Sequence, residues 1–350
     1  MNYQLVRCDM NDPADLSELK KMINEKKINP KHIKAIIAQT EGDGYARGYS
    51  TLAFQVLLSE YLNISHEEIF EQIPMMMIGK TGGLMSPHYT LFISDEDQVG
   101  VDMNENEKRF AFGVSSTPRL NTEQIGTVAQ IDLVSEAVKK AISEAEIELE
   151  DVKCVEIKCP WGEGGARSKA ASALGAAVAL NEVSREEISE ESINTDHSLY
   201  SVKTSVSAGQ EQVAVRVIVM GNSSKSTSSC YIGAGVMNDA LDLEGLKQAI
   251  NDSGLQHSSS LSDEQKSQIV QIFVNCGADA KPDVRGRRHT MHSDALSMHA
   301  GILAKAVANA VVGSYVGETR ILCSAGSEHQ GPQGSNLVAT VVSLGGELND

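Results

Sequence analysis

The sequence predicts an α/β protein built from three similar units around a pseudo-three-fold axis, with a pocket at the centre. Three observations predict it. The order amphipathic helix, strand, small-residue helix, strand, strand occurs three times along the 350 residues. Strand-end residues made equivalent by this repeat are regularly spaced. Lys158 and Ser207 lie 49 residues apart, as do Asn275 and Ser324, while Gln39 and Ile78 lie 39 apart across a shorter loop. The period of roughly 110–120 residues is far longer than a solenoid unit of about 20–50 residues and has the size of a small domain.

The first unit, residues 1–102, opens on the helix "LSELKKMINEKK", whose Leu16, Leu19 and Ile23 fall on one face. It continues through the strand "HIKAIIAQTEGDG", the helix "STLAFQVLLSEYLN", the glycine-ended strand "PMMMIGKTGG" and the strand "YTLFIS". The second, residues 103–235, gives the helix "SEAVKKAISEAEI", the strand "VKCVEIKCPWGEG" and the helix "SKAASALGAAVALNEV", then the strands "YSVKTSVSAGQE" and "VAVRVIVMGNS". The third, residues 236–350, gives "LSDEQKSQIVQIFVNCGAD", the helix "SMHAGILAKAVANAVVGS", and the strands "TRILCSAGSEHQGP" and "NLVATVVSL". Two strings, "RFAFGVSSTPRL" and "CYIGAGVMNDALDL", join the units. Polar seams separate them: the acidic "SDEDQVGVDMNENEKR", the serine-rich "NSSKSTSS" at 222–229, and a loop ending in a helix N-cap at Ser262 or Asp263.

Composition narrows the function. A net charge of −17 and an aromatic content of 4% argue against nucleic acid as a partner, which needs a basic face or stacking platforms. No run of about 20 apolar residues marks a membrane span, and the first residues carry no leader pattern. The six cysteines, Cys8, Cys154, Cys159, Cys230, Cys276 and Cys323, form no zinc-spaced cluster. They read as buried, reduced thiols of a cytoplasmic protein.

If the strand ends converge, three sets of residues meet. After the first strand stand Gln39, Lys158 and Asn275; at the end of the later strand stand Ile78-Gly79, Ser207-Ala208 and Ser324-Ala325; opening the small-residue helix stand Arg47, Lys169 and Met298. Only the second unit offers both a lysine and a serine at the paired positions. A lysine activates a serine only when neutral, so its pKa must fall, and burial or a nearby cation such as Arg47 or Lys169 pushes it down. Backbone N–H groups at Ala208-Gly209 would then face an oxyanion.

The strings "IKCPWGEG", "AASALGAAVAL", "SVSAGQE", "VRGRRHTMHSDA" and "SAGSEHQGPQG", with "QTEGDG" and "GGLMSPH" in the first unit, resemble the ring-opening amidohydrolase family of cyanuric acid hydrolases and barbiturases. The resemblance spans essentially the whole chain. It implies three similar domains around a central pocket, hydrolytic opening of a cyclic imide or ureide without a redox cofactor, and a homotetramer. In the family each repeat contributes a Lys, a Ser and an Arg, and the middle pair, carried over to Lys158 and Ser207, is the catalytic dyad. Arg47, Lys169, Gly79, Ala208, Ser324, Ala325, Gln39 and Asn275 fall on substrate-contacting positions.

The departures also carry information. Gln39 and Asn275 replace two family lysines, Ile78 a serine, Lys169 an arginine that Arg167 lies close enough to replace, and Met298 another arginine. The middle dyad survives in a pocket of broken symmetry, which implies a less symmetric ring; the alternative is a relative that binds a ring without turnover. The resemblance also implies a structural Mg²⁺ or Ca²⁺ in the loop "EHQGPQGSN", at Glu328, Gln330, Pro332 and Gly334, with Asp279 as an acidic partner. Two other strings lead elsewhere. "IGKTGG" has Pro74 where a phosphate loop needs glycine, and His289 with His292 lacks a third metal ligand.

Overall fold

The computed structural model describes residues 1–41, 44–79, 83–96, 107–162, 165–256, 259–277, 281, 283–288 and 300–344. The first repeat contains β1 (Asn2–Asp9), α1 (Ser17–Asn24), β2 (Ile33–Gln39), α2 (Gly44–Leu62), α3 (His66–Gln72), β3 (Met75–Ile78) and β4 (His88–Asp95). The second contains β5 (Arg109–Ser116), α4 (Val128–Glu144), β6 (Val152–Pro160), α5 (Ala166–Ala179), β7 (Thr204–Gly209) and β8 (Arg216–Ser223). The third contains β9 (Cys230–Met237), α6 (Leu243–Asp252), α7 (Asp263–Ser267), β10 (Ile269–Cys276), the short hairpin β11 (Asp283–Val284) and β12 (Arg287–Arg288), α8 (Ala300–Val316), β13 (Leu322–Ala325) and β14 (Asn336–Ser343).

Each repeat folds its four main strands into one sheet with the same order: β1-β4-β2-β3, β5-β8-β6-β7 and β9-β14-β10-β13. In each, the second and third strands run parallel, joined by the small-residue helix, and the remaining pairs are antiparallel. The third strand therefore lies at a sheet edge in every repeat.

The element readings hold with three differences. The joining strings are themselves strands, β5 and β9, and residues 2–9 supply their first-repeat counterpart. Because β9 pairs with β14, residues 230–235 belong to the third sheet, and the seam falls in the serine-rich turn rather than after residue 235. An additional helix, α3, is fixed by a capping box in which Ser65 accepts from the Glu68 N–H and Glu68 accepts from the Ser65 N–H. Ser262, not Asp263, caps α7, with Gln265 completing its box.

Pleating divides each sheet into two faces. Ile36 and Ala38 of β2 pack with Phe54 and Leu58 of α2, while Ala35 and Ile37 face a core shared by all three repeats. In β10, Ile272, Val274 and Cys276 face the third-repeat core with Ala308 and Val312 of α8, and Phe273 faces the shared core. One ring from each repeat meets there, with Phe92 5.3 Å from Phe112 and 6.3 Å from Phe273. Helices cover the outside. Gly113 lets α4 press onto β5, since a Cβ there would lie 1.8 Å from the Ala141 carbonyl oxygen. Period-two alternation sets Gln39, Lys158 and Asn275 on the shared inner face, at the carboxyl ends of their strands.

Candidate active site

The strand register makes the sequence equivalence exact in space. Gln39 lies opposite Ile78, Lys158 opposite Ser207, and Asn275 opposite Ser324. Their partner strands β3, β7 and β13 each leave one edge open, and hydrogen-bond direction tells which groups face it. Val155 N–H donates to Lys203 O and Trp161 N–H to Gly209 O, so odd-numbered residues of β7 bond to β6 and even-numbered ones face the open edge. By this alternation Ala208 N–H faces outward, whereas Gly209 N–H faces β6. Gly79 and Ala325 occupy the same outward phase on β3 and β13, since Ile78 O accepts from Thr40 N–H and Gly326 N–H donates to Cys276 O. The backbone N–H groups of Gly79, Ala208 and Ala325 thus share one geometry.

Side chains from the neighbouring repeats close these edges in a cycle. Lys158 Nζ of the second repeat donates to Met77 O of the first at 3.1 Å. Gln39 Oε1 of the first accepts from Cys323 N–H of the third at 2.9 Å. The third repeat departs from the pattern: Asn275 turns back on its own repeat, donating to Gly326 O at 3.0 Å. Gln330 Oε1 takes its place, accepting from Val206 N–H of the second repeat at 2.6 Å. Both outward groups are one residue before the serine position, and so is Val206. This cyclic bonding is the physical content of the three-fold axis.

Lys158 is fully buried. Burial pushes its pKa down to about 8; the Arg47 charge acts the same way, and the Glu211 carboxylate, 3.9 Å from Nζ, opposes it. Ser207, half-buried, stands beside it on β7. Glu211 folds back over the strand end, where a Cβ on Gly209 would lie 2.1 Å from its Oε1. Arg47 lies along Gly79, its Cδ 2.9 Å from where a Cβ would be.

The remaining positions are committed differently from the sequence expectation. Lys169 pairs with Glu328 at 2.5 Å. Arg167 points to the surface, bonded to Glu190 and to Ile193 O, so it does not stand in for Lys169. Met298, Asp279, His289 and His292 lie outside the described residues. In the loop expected to hold a cation, some of the candidate oxygens already meet protein donors. Glu328 is neutralised by Lys169 and receives Gln330 Nε2 at 3.2 Å. Pro332 O accepts both the N–H and the hydroxyl of Ser335, and Lys281 lies across Gly334. The Glu328 carboxylate, Gln330 Oε1 and Pro332 O each accept from protein donors.

Two buried groups were not singled out from sequence. Glu156, two residues before Lys158, is pushed by burial up to about 8. Lys305 of α8 is 2% exposed; a single lysine inside "ILAKAVANAVV" was the available signal.

The comparisons with known proteins bear on this arrangement. The model of the amidohydrolase ring-opening protein family matches residues 4–163 and 161–343. The chain belongs to the ring-opening amidohydrolase family. Within it, the chain is 36% identical to a cyanuric acid amidohydrolase of Enterobacter cloacae, covering 97% of this chain and 99% of the relative. It is 36% identical to a cyclic amide hydrolase of a Rhodococcus species, over 95% and 99%, and 34% identical to barbiturase 1 of a Nocardioides species, over 95% and 96%. A solved cyanuric acid hydrolase, described as an evolutionary innovation by structural concatenation, superposes with a TM-score of 0.88 at 32% identity, covering 98% of this chain and 99% of that one. Another, from A. caulinodans, gives 0.85 at 30%, with coverage of 98% and 99%. This ring-opening amidohydrolase is accordingly a hydrolase of cyclic-amide C–N bonds, in a fold of three concatenated repeats.

Proposed function

We propose that the enzyme opens a cyclic imide or ureide less symmetric than cyanuric acid, with Ser207 as nucleophile and Lys158 as its base. The observation that carries this reading is the pairing of a fully buried, pKa-depressed lysine with a serine at directly opposed positions of parallel strands. Neutral Lys158 takes the Ser207 hydroxyl proton as Oγ bonds to a ring carbonyl carbon. The oxyanion forms against Ala208 N–H. The ring C–N bond then breaks, and the Lys158 ammonium gives its proton to the departing nitrogen. Water attacks the acyl-serine, Lys158 accepts its proton, and the Ser207 hydroxyl is restored with release of the opened acid. Arg47 orients a ring carbonyl.

Replacing Ser207 and Ser324 separately with Ala tests the choice of nucleophile. Loss of at least about 10³-fold in kcat/KM for Ser207→Ala alone supports it; loss for Ser324→Ala alone makes Ser324 the nucleophile and overturns it.

The substrate reading rests on the broken three-fold pattern. Ile78 stands where its counterparts are Ser207 and Ser324, and its side chain has no donor. A symmetric trione presents the same carbonyl to each repeat. Leaving one carbonyl without its donor forfeits about 1–3 kcal/mol, roughly 5–150-fold. Relatives bear the names cyanuric acid amidohydrolase and barbiturase, so both rings belong in a panel with simple cyclic imides. A pyrimidine-like ring is expected to exceed cyanuric acid in kcat/KM. Cyanuric acid as the best substrate would refute the reading of Ile78.

A further inference from the structure

All six cysteines are free and buried, and two of them touch. Cys276 of β10 and Cys323 of β13 bring their Sγ atoms to 3.6 Å. The strand register explains the contact. Cys276 lies opposite Ala325 and Cys323 opposite Val274, so the two thiols are diagonal neighbours on one face, inside the third-repeat core. The other repeats serve as internal controls. The equivalent positions carry Thr40 and Met77 in the first repeat and Cys159 and Val206 in the second. Only the third repeat puts a thiol at both.

The pair sits directly behind the strand ends of the candidate site. Cys276 follows Asn275, and its carbonyl accepts the Gly326 N–H. Cys323 precedes Ser324, and its N–H donates to Gln39 of the first repeat. A shift of either strand is passed to these groups. The surroundings also favour reaction at one of the two sulfurs. Burial pushes the thiols of Cys8, Cys154, Cys159 and Cys230 up. Burial pushes Cys323 up as well, but the hydrogen bond from the Cys276 thiol and the charge of Lys305 outweigh it and hold Cys323 below the ordinary thiol range. The thiolate is the form that reacts.

We infer that Cys276 and Cys323 are a modification site: hydrogen peroxide links them in a disulfide, and the linkage slows turnover at the adjoining strand ends. The Cys323 thiolate attacks one peroxide oxygen, forming a sulfenic acid and releasing hydroxide. The Cys276 thiol then attacks that sulfur; the S–S bond forms and the sulfenic oxygen leaves as water. Two thiols are oxidised, and one peroxide ends as two waters. A disulfide holds its sulfurs at about 2.05 Å, so the present gap must close by about 1.5 Å. Rotation of the side chains takes up part of that distance. The remainder falls on β10 and β13, whose ends carry Asn275 and Ser324. Misplacement by about 1 Å near reacting groups costs up to about 10²-fold in rate. The effect on turnover rests on the ring-opening reading above; the linkage does not.

The test treats the protein with hydrogen peroxide, maps linked peptides by mass spectrometry and follows the opening of barbiturate. The expected result is a Cys276–Cys323 peptide pair, a fall of about tenfold or more in kcat/KM, and recovery with dithiothreitol. Cys323→Val, which copies Val206 of the second repeat, should keep its activity through the same treatment. Two free thiols in protein that has lost activity, a linkage that leaves activity unchanged, or an equal loss in Cys323→Val overturns the inference. Should Cys323→Val fail to fold, Cys276→Thr, which copies Thr40 of the first repeat, takes its place, and the peptide map of the parent protein decides the linkage in either case. A protein that forms the linkage but opens no ring, even when reduced, supports the modification site and counts against the ring-opening reading.

Discussion

Glu211→Gln offers a direct reading of how Lys158 is tuned. The Glu211 carboxylate lies 3.9 Å from Lys158 Nζ and is the contact that raises the pKa of this lysine most. Two unit charges at this distance interact by about 4 kcal/mol at an effective dielectric of 20 and about 1 kcal/mol in water. Glu211 is 32% exposed, so solvent screens it and the lower part of that range, about 1–2 kcal/mol, applies. Converted at about 1.4 kcal/mol per unit, the substitution lowers the Lys158 pKa by about one unit. The active base is the neutral amine. The rising limb of kcat/KM against pH should therefore move down from about 8 to about 7. The assay is loss of ring absorbance between about pH 6 and 10, with a substrate whose own ionisation lies outside that window. A limb that stays in place or moves up, in a variant that melts like the parent, would refute the claim that Lys158 is the titrating base.

Glu156 should make the fold less stable as pH rises. Its pKa in the folded protein is about 8 against 4.5 for the free side chain, so between those values the unfolded chain releases a proton that the folded one keeps. Stability falls by roughly 1.4 kcal/mol per pH unit across that window, and Glu156→Gln should remove this slope in urea titrations at stepped pH; parallel curves would count against it. Gln330→Ala strips the acceptor from Val206 N–H and a donor from Glu328. A buried N–H left unpaired costs about 1–3 kcal/mol, read as a lower midpoint in the same titration, and an unchanged midpoint would show that water replaces the amide.

The sequence by itself determined the repeat, and with it the fold class. Element order and the 49-residue spacings of Lys158–Ser207 and Asn275–Ser324 are local properties of the chain, and parallel pairing across a crossover helix turns such spacing into register. The same spacings picked out the dyad positions, because a single unit combined the two residue types that nucleophilic chemistry needs. Tertiary structure decided which charges remain available. Lys169 and Arg167 looked equivalent in sequence, yet one is paired with Glu328 and the other with Glu190. Gln330, singled out in sequence only as a loop residue, fills with its side chain the gap left by the short Asn275 side chain. Lys305 looked like one residue of an apolar helix, until α8 packed it against the strand end of a different repeat. The Lys169–Glu328, Gln330–Val206 and Lys305–Gly79 contacts join residues more than 120 positions apart, and no periodicity encodes them. They follow from which open strand edge each side chain reaches once three sheets close around one axis, and from how little counter-charge is buried there with them.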